Sequence, residues 1–121
     1  MRIPIQYALS YPDRIAICDS ALKLNIMDIG RLEFFQVDND TFPSIRLAYK
    51  VMDMGGSAVV VFNMANDILG EMFLEGKIGF LDIVDTIERI IEEHKPWEIT
   101  DIVAIEEAMK WTQNWIKNFY S

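Results

Sequence analysis

The stretch SAVVVFNMANDILGEMFLEG, residues 57–76, decides the fold that the sequence predicts. Its apolar residues recur at intervals of three and four, which is the period of an α-helix that buries one face. Ser57 can cap the start of this helix, and Gly76 can end it. The run Val59-Val60-Val61 has strand propensity, so a strand is the competing interpretation there. The predicted helical stripe consists of Ala58, Phe62, Ala65, Leu69 and Phe73.

Three further amphipathic segments follow the same period on either side of this helix. The first opens at Pro43 and stops at Gly55-Gly56, the second can be capped by Asp82, and the third by Thr100. Such helices can bury their stripes only against one another, which predicts a small four-helix bundle over residues 40–121. The stripes are Leu47, Val51 and Met54; Ile83, Ile87, Ile90 and Ile91; and Ile102, Ile105, Met109, Thr112, Ile116 and Phe119, broadened by Trp111 and Trp115.

Residues 1–39 have a different pattern, which ends at the turn-forming cluster Asp38-Asn39-Asp40. A short helix is predicted from Pro4 to Tyr11, and the partly alternating residues between Leu22 and Val37 predict extended structure. The predicted fold class is therefore mainly α, a small four-helix bundle preceded by a helix and an extended β arm. Because an unpaired apolar strand can pair with another copy, the arm predicts a homodimer or arm exchange.

The composition is that of a folded globular protein and argues against two classes of partner. Hydrophobic residues make up 51% of the 121 residues and charged residues 25%, and the net charge is −8. No stretch concentrates Lys or Arg, so nucleic acid is not an expected partner. The longest apolar run, Ala58 to Phe62, is far shorter than the roughly 20 residues of a membrane span, so no membrane is expected. A single Cys18 and the lack of an export signal favour a cytoplasmic location.

No set of residues indicates catalysis or a metal site. Gly55-Gly56-Ser57 lacks the spacing and the Lys of a phosphate-binding loop. His94, the only histidine, has no partners at metal-ligand spacing and is expected at a helix end, where its partial charge suits the helix dipole. Cys18 has no adjacent base and is expected to be packed. Two acidic groups are expected to be solvated, the turn residues Asp28, Asp38 and Asp40 and the helix face Glu88, Glu92 and Glu93.

Asn63 and Asn66 stand three residues apart in the most apolar helix. A buried amide without hydrogen bonds costs about 1 to 3 kcal/mol, so these side chains are expected to tie structures together. Their partners are expected to be loop backbone groups within the bundle or a neighbouring domain. The tryptophans Trp97, Trp111 and Trp115 can stack on a ligand, but the helical spacing of the last two favours a place in the core.

Several short motifs run in order along the chain. They are Met1-Arg2-Ile3-Pro4-Ile5-Gln6-Tyr7-Ala8-Leu9, Tyr11-Pro12-Asp13-Arg14, Leu32-Glu33-Phe34, Phe42-Pro43-Ser44-Ile45-Arg46-Leu47-Ala48-Tyr49, Gly55-Gly56-Ser57-Ala58, Asn63-Met64-Ala65-Asn66-Asp67 and Phe73-Leu74-Glu75-Gly76-Lys77-Ile78-Gly79-Phe80-Leu81-Asp82-Ile83. From residue 1 to about residue 93, the series resembles the C-terminal part of the 1-deoxy-D-xylulose 5-phosphate reductoisomerase family. The family usually has Asn-Ala-Ala-Asn-Glu where this chain has residues 63–67. Residues 16–23 and the last helix match only loosely.

The resemblance implies a three-part parent enzyme with an NADPH-binding domain, a central catalytic domain and a C-terminal helical bundle. That enzyme converts 1-deoxy-D-xylulose 5-phosphate to 2-C-methyl-D-erythritol 4-phosphate in non-mevalonate isoprenoid synthesis, with NADPH and a divalent metal, Mg or Mn. Residues 1–39 would be a remnant of the central domain and residues 40–121 the bundle. The Met at the start of the first motif lies near the nicotinamide in the family, which makes Met1 the one cofactor-binding candidate. The metal, phosphate and cofactor-loop residues of the family precede this segment.

The sequence therefore predicts a structural, inactive C-terminal fragment of the reductoisomerase, whose partners are the missing N-terminal and central domains. The alternative is a free-standing helical module that binds a protein partner. An independent small enzyme has little support, because no nucleophile, base and orienting group can be assembled from the sequence.

Overall fold

The computed structural model describes residues 2–16 and 25–121, and helices are the regular structure found there. By contacts the chain divides into an N-terminal unit, Met1–Phe35, and a helical unit, Gln36–Ser121. The predicted domain boundary between residues 39 and 40 stays a prediction. In chain order the helices are α1 (Arg2–Ser10), α2 (Ile26–Ile29), α3 (Pro43–Met54), α4 (Ser57–Leu74), α5 (Phe80–Glu93) and α6 (Ile102–Phe119).

The helical unit is organised around α4, which packs against α3, α5 and α6. The stretch Val59-Val60-Val61 is helical, so the competing strand interpretation is wrong. The buried face of α4 carries mainly small residues, which lets neighbouring helices approach closely. Leu69 is fully buried on the same face and contributes about 1.5 to 3 kcal/mol by leaving water. The buried residues of α4 are Ser57, Ala58, Val61, Ala65 and Leu69.

The other three long helices present apolar stripes to α4, close to those that the sequence predicts. Leu47 and Val51 of α3 and Ile87, Ile90 and Ile91 of α5 are buried. On α6 the stripe is partly different. Thr112 and Ile116 are buried as predicted, but Ala108 takes the place expected for Met109, which is exposed together with Ile102 and Phe119. Trp111 and Trp115 pack against the core cluster.

At the starts of α4, α5 and α6, the capping differs from the prediction. Ser57 is the first residue of α4, after Gly56 at the cap position, and its side chain does not cap the helix. Asp82 lies in the first turn of α5 and accepts a hydrogen bond of 2.7 Å from the Gly79 N–H. Asp101, not Thr100, caps α6 by accepting from the Ala104 N–H at 2.9 Å. A carboxylate at this position also complements the positive end of the helix dipole.

The N-terminal unit contains the predicted first helix, α1, whereas the predicted extended β arm is not shown by the described residues. Residues 26–29 form the short helix α2, in which the Asn25 side chain accepts from the Met27 N–H at 3.3 Å. No strand is found within residues 2–16 or 25–121. A strand needs a neighbour to bond its backbone groups, which an alternating pattern cannot supply by itself. The arm's residues 22–24 lie outside the described part.

The turn predicted at residues 38–40 is held by the Asp38 carboxylate. Its Oδ1 accepts from the N–H groups of Asp40 and Thr41, each at 3.0 Å, and its Oδ2 accepts from the Thr41 hydroxyl at 2.6 Å. The Thr41 hydroxyl and these backbone groups lower the pKa of the Asp38 carboxyl from its usual value. The acidic turn residue is therefore a local cap for the chain that enters α3.

α4 also bears on the expectation that no membrane is involved. In the described part of the chain it is the one helix long and apolar enough to cross a membrane, with 18 residues and a mean hydropathy of 1.2. Core helices of soluble proteins have the same length and composition, and α4 contacts three other helices of its own unit. The absence of a membrane partner stays a prediction.

Candidate functional site

An apolar groove of about 480 Å³ lies between the first turns of α3 and α5 and is bounded by α4. Leu47 and Ile87, both nearly fully buried, line it together with the half-buried Phe62. Its exposed edge is formed by Phe42, Asn66, Phe80 and Leu81. A concave, mostly apolar surface with a few polar groups is the usual form of a binding site in proteins.

The aromatic and aliphatic side chains at this edge are unusually open to water for their type. Phe42 is 58% exposed, Phe80 69% and Leu81 71%. The Phe80 ring also contacts Phe73 edge to face, with the ring centres 5.6 Å apart. Grouped apolar exposure of this kind marks surfaces that another molecule covers.

Asn63 and Asn66 are both exposed on α4, and Asn66 lines this groove. Neither amide makes a hydrogen bond to any residue in the described ranges 2–16 and 25–121. The expectation that loop backbone groups within the bundle bind these amides is therefore wrong, and the alternative, a neighbouring domain, stays a prediction. We call the set Phe42, Phe62, Asn63, Asn66, Phe80 and Leu81 the Asn66 surface.

Charged side chains between α3 and α5 are paired with each other. Arg46 donates to the Glu88 carboxylate at 2.9 Å, and the Lys50 ammonium lies 4.0 Å from Glu92. Glu93 accepts a hydrogen bond of 2.7 Å from the Trp115 indole N–H. The acidic face of α5, expected to be merely solvated, is thus partly used to hold neighbouring helices in place.

A second polar cluster is buried where the segment after α5 crosses the start of α4. The Ser57 hydroxyl lies 2.8 Å from His94 Nε2 and accepts from the Trp97 N–H at 2.9 Å. The Trp97 carbonyl in turn accepts from the Ser57 N–H at 2.9 Å. Because Trp97 N–H must donate, the Ser57 hydroxyl can donate its own proton to a neutral His94 ring.

His94 lies at the end of α5 as predicted, but its environment differs from the prediction. It is only 4% exposed, and its ring contacts those of Trp97 and Trp111, with centres 5.0 and 4.6 Å away. Burial lowers the pKa of His94 from its usual value, so the neutral ring is favoured. A positive charge that complements the helix dipole is therefore not its role. Since Ser57 is fully buried, this serine and histidine are placed for packing and not for attack on a substrate.

Gly56 allows the segment after α5 to pass close to the start of α4. A Cβ at Gly56 would lie 2.4 Å from the Trp97 carbonyl oxygen, and its φ of +51° disfavours other residues. Gly55 also has a positive φ but has open space around it. The Gly55-Gly56-Ser57 motif therefore ends α3 and receives the Trp97 backbone, in agreement with its interpretation as a helix stop.

Of the residues singled out from the sequence, Met1 and Cys18 lie outside the described part of the chain, and nothing in the structure tests them. Within the N-terminal unit, a small cleft of about 190 Å³ is lined by Gln6, Tyr7 and Arg14. The Arg14 guanidinium lies 4.5 Å from the centre of the Tyr7 ring, and the Gln6 amide donates to the Ile15 carbonyl at 3.1 Å. These polar groups are engaged within their own unit.

No three His, Cys, Asp or Glu side chains within residues 2–16 and 25–121 are grouped closely enough to hold a metal ion. Of the Asn66 surface, the sequence analysis singled out Asn63 and Asn66 but not the apolar residues beside them. One signal was available, because Phe80 and Leu81 are the first two residues of α5, where a solvent-facing helix start would carry polar residues.

The fold and its surfaces define a helical domain whose accessible features are suited to contact with another protein surface. The family model described as "DXP reductoisomerase C-terminal domain" matches residues 1–115. The chain belongs to this family, which confirms the resemblance derived from the motifs.

Curated relatives and a solved structure agree with this assignment. The chain is 45% identical to 1-deoxy-D-xylulose 5-phosphate reductoisomerase of Lysinibacillus sphaericus over 105 residues, covering 87% of this chain and 27% of that protein. It is 41% identical to the enzyme of that name from Citrifermentans bemidjiense, covering 92% and 28%. A structure of the Zymomonas mobilis reductoisomerase in complex with NADPH superposes with a TM-score of 0.85 at 26% identity, covering 99% of this chain and 31% of that one. The chain spans less than a third of the length of these relatives.

Proposed function

We propose that this chain acts as the C-terminal part of a 1-deoxy-D-xylulose 5-phosphate reductoisomerase, where it packs against and supports the catalytic part without itself taking part in the chemistry. The observation that carries the proposal is the family match over residues 1–115, together with coverage of only 27% of the length of the Lysinibacillus enzyme. The parent reaction is the NADPH-dependent conversion of 1-deoxy-D-xylulose 5-phosphate to 2-C-methyl-D-erythritol 4-phosphate.

The chemistry of the described residues supports a structural role. His94 and Ser57 are buried, and several carboxylates of α5 already bind Arg46, Lys50 or the Trp115 indole. No three His, Cys, Asp or Glu side chains among the described residues stand close enough together to hold a metal ion. We therefore assign NADPH and the divalent metal, Mg or Mn, to the domains of the parent that this chain does not include. Met1 is proposed, on the family resemblance alone, as a contact for the nicotinamide.

A free-standing helical module that binds a protein partner is the second candidate. The exposed apolar residues of the Asn66 surface favour it, since they suit any covering protein. The predicted homodimer is a further proposal. Exposed apolar residues of the N-terminal unit support it in place of the predicted strand. Among them, Phe34 is 88% exposed and Phe35 is 84% exposed. A cytoplasmic location fits both candidates and is proposed with them.

A pair of assays tests the proposal. The chain alone, mixed with NADPH, a divalent metal and 1-deoxy-D-xylulose 5-phosphate, should oxidise no NADPH. A chimera, in which this chain replaces the matching segment of the full-length Lysinibacillus enzyme, should oxidise NADPH only when the sugar phosphate is present. Metal-dependent turnover by the chain alone would refute the structural role. A chimera without activity would refute its ability to support a catalytic part and would favour the free-standing module.

A further inference from the structure

We propose that the Asn66 surface is the docking surface for the catalytic part of the full-length reductoisomerase, with Asn63 and Asn66 hydrogen-bonding to its backbone and the groove receiving one of its apolar side chains. This inference rests on the proposed function and adds which face of the helical unit makes the contact. A neutral strip of residues along α4 supports it first.

One strip along α4 carries no charged side chain although most of it is exposed. It consists of Val59, Asn63, Asn66, Gly70 and Phe73, which follow each other at intervals of three and four and lie between the buried stripe and the acidic side of the helix. An exposed helix surface in a soluble protein usually carries charged residues. The two acidic residues, Asp67 and Glu71, lie on the side of α4 opposite the buried stripe.

Both α4 and α6 carry charged residues opposite their buried stripes. These are Asp67 and Glu71 on α4 and Glu106, Lys110 and Lys117 on α6, all exposed. The neutral strip of α4 lies beside its acidic side and adjoins the groove edge, where Phe80 and Leu81 are also largely exposed. The neutral strip and the groove edge together form one uncharged surface.

The two amides suit a polypeptide as the ligand. Each Asn offers two N–H donors and an acceptor oxygen, which match the carbonyl and N–H groups of a backbone segment. Residues three apart on a helix lie about 5 to 6 Å from each other at Cβ, so both can reach the same segment. The 480 Å³ groove beside Asn66 has room for an apolar side chain of that segment. Neither this surface nor the segment that binds it needs charged residues for these contacts.

The length of chain outside this structure argues for the occupant. The relatives are more than three times as long, since the matched segment is 27% of the Lysinibacillus enzyme and 28% of the Citrifermentans enzyme. In such an enzyme the catalytic part is covalently attached, so its effective concentration near this face is high and a surface of modest area suffices. A second copy of the chain would have to bind without that advantage.

Cysteine accessibility tests the assignment in the chimera described above. Asn63→Cys and Asn66→Cys are compared with Asn114→Cys, an exposed asparagine on α6, and maleimide labelling at each introduced site is read by peptide mass spectrometry. In the chain alone all three sites should label at similar rates. In the active chimera the first two should label at least about tenfold more slowly, because docking must open before the reagent enters, while residue 114 is unchanged.

Each outcome decides the proposal. If the unsubstituted chimera oxidises NADPH but residues 63 and 66 label as fast as residue 114, the surface is wrong while the proposed function stands. Protection that appears in the chain alone and grows with its concentration would identify a second copy as the occupant, against the proposal. An inactive unsubstituted chimera would overturn the proposed function and this inference with it. As a second measurement, Leu81→Ser should weaken the chimera's activity and leave the chain's own unfolding midpoint unchanged, and equal loss in both would also contradict docking.

Discussion

Polar side chains in two regions of α4 differ in whether they have hydrogen-bond partners. At its start, Ser57 is buried, and its hydroxyl and N–H are both paired with residues 94–97. Near its middle, Asn66 faces water beside exposed aromatic rings, with no partner in the described part of the chain. In the first region both Ser57 groups have partners within the chain, although the buried His94 Nδ1 and Trp97 indole N–H have none among the described residues. The second region has the composition of an interface.

Paired side chains also join α5 to α6. As the residue number falls along α5, the number of its partner in or just after α6 rises, so the two helices are antiparallel. Together the pairs fix the position of one helix along the other. Such pairs add modest energy individually but set the relative position of helices whose backbones are not closely packed. They are Trp115 to Glu93 at 2.7 Å, Arg89 over the Phe119 ring at 5.6 Å, and the Thr86 and Tyr120 hydroxyls at 2.7 Å.

The largest expected effect comes from the buried side of α4. Leu69→Ala removes a fully buried side chain from the core and should lower the free energy of unfolding by about 2 to 5 kcal/mol. Leu74→Ala, the same change in a residue that is 83% exposed, should alter it by less than about 0.5 kcal/mol. Urea unfolding of both variants measures the difference. Equal losses would mean that the outer end of α4 is also part of the core.

The next effect comes from the polar cluster at the start of α4. Ser57→Ala leaves the Trp97 N–H and His94 Nε2 without their partner and should lower the free energy of unfolding by about 1 to 3 kcal/mol. The exposed Ser44 on α3 provides the control, and Ser44→Ala should change the stability by less than about 0.5 kcal/mol. If the two serine variants unfolded at the same urea concentration, the cluster would not be holding the segment after α5.

Acid should weaken the same cluster through His94. Burial lowers the pKa of His94 in the folded protein below the usual 6.5, so the unfolded chain binds the proton more readily. The contribution of His94 is therefore fully present above about pH 6.5 and is lost as the pH falls from there through the lowered folded value. The slope of unfolding free energy against pH in this range should be smaller in His94→Gln. An unchanged slope would show that the ring is accessible to protons in the folded state.

The bundle was predictable because helical periodicity is a property of the sequence itself. The stripes of α3, α4 and α5 were read from the spacing of residues such as Leu47, Leu69 and Ile90, which the structure buries. Cap positions were less certain, because Thr100 and Asp101 are both good caps and only the geometry selects Asp101. The extended arm was less predictable, because an alternating pattern does not reveal whether a partner strand is present, and residues 26–29 form a helix instead.

The candidate surfaces could be read from the sequence only in part. The sequence drew attention to Asn63 and Asn66 but could not say that both are exposed, since a polar residue in an apolar helix is compatible with either face. It gave no sign that Ser57, His94 and Trp97 meet, because they are 37 and 40 residues apart and their contact depends on how α5 returns to α4. Position in three dimensions, and not residue type, separates the paired cluster from the open surface.

The smallest expected effect gives the sharpest test of the difference between the two regions. Asn63→Ala and Asn66→Ala should change the free energy of unfolding of the chain by less than about 0.5 kcal/mol, with any change towards greater stability, because alanine favours the helix and no hydrogen bond is lost. Chemical unfolding of each variant beside Asn114→Ala measures this. A loss of more than about 1 kcal/mol would mean that the amides already bond within the chain. Like the Ser57 groups, they would then be paired within the chain, and the reason for expecting a partner at this surface would disappear.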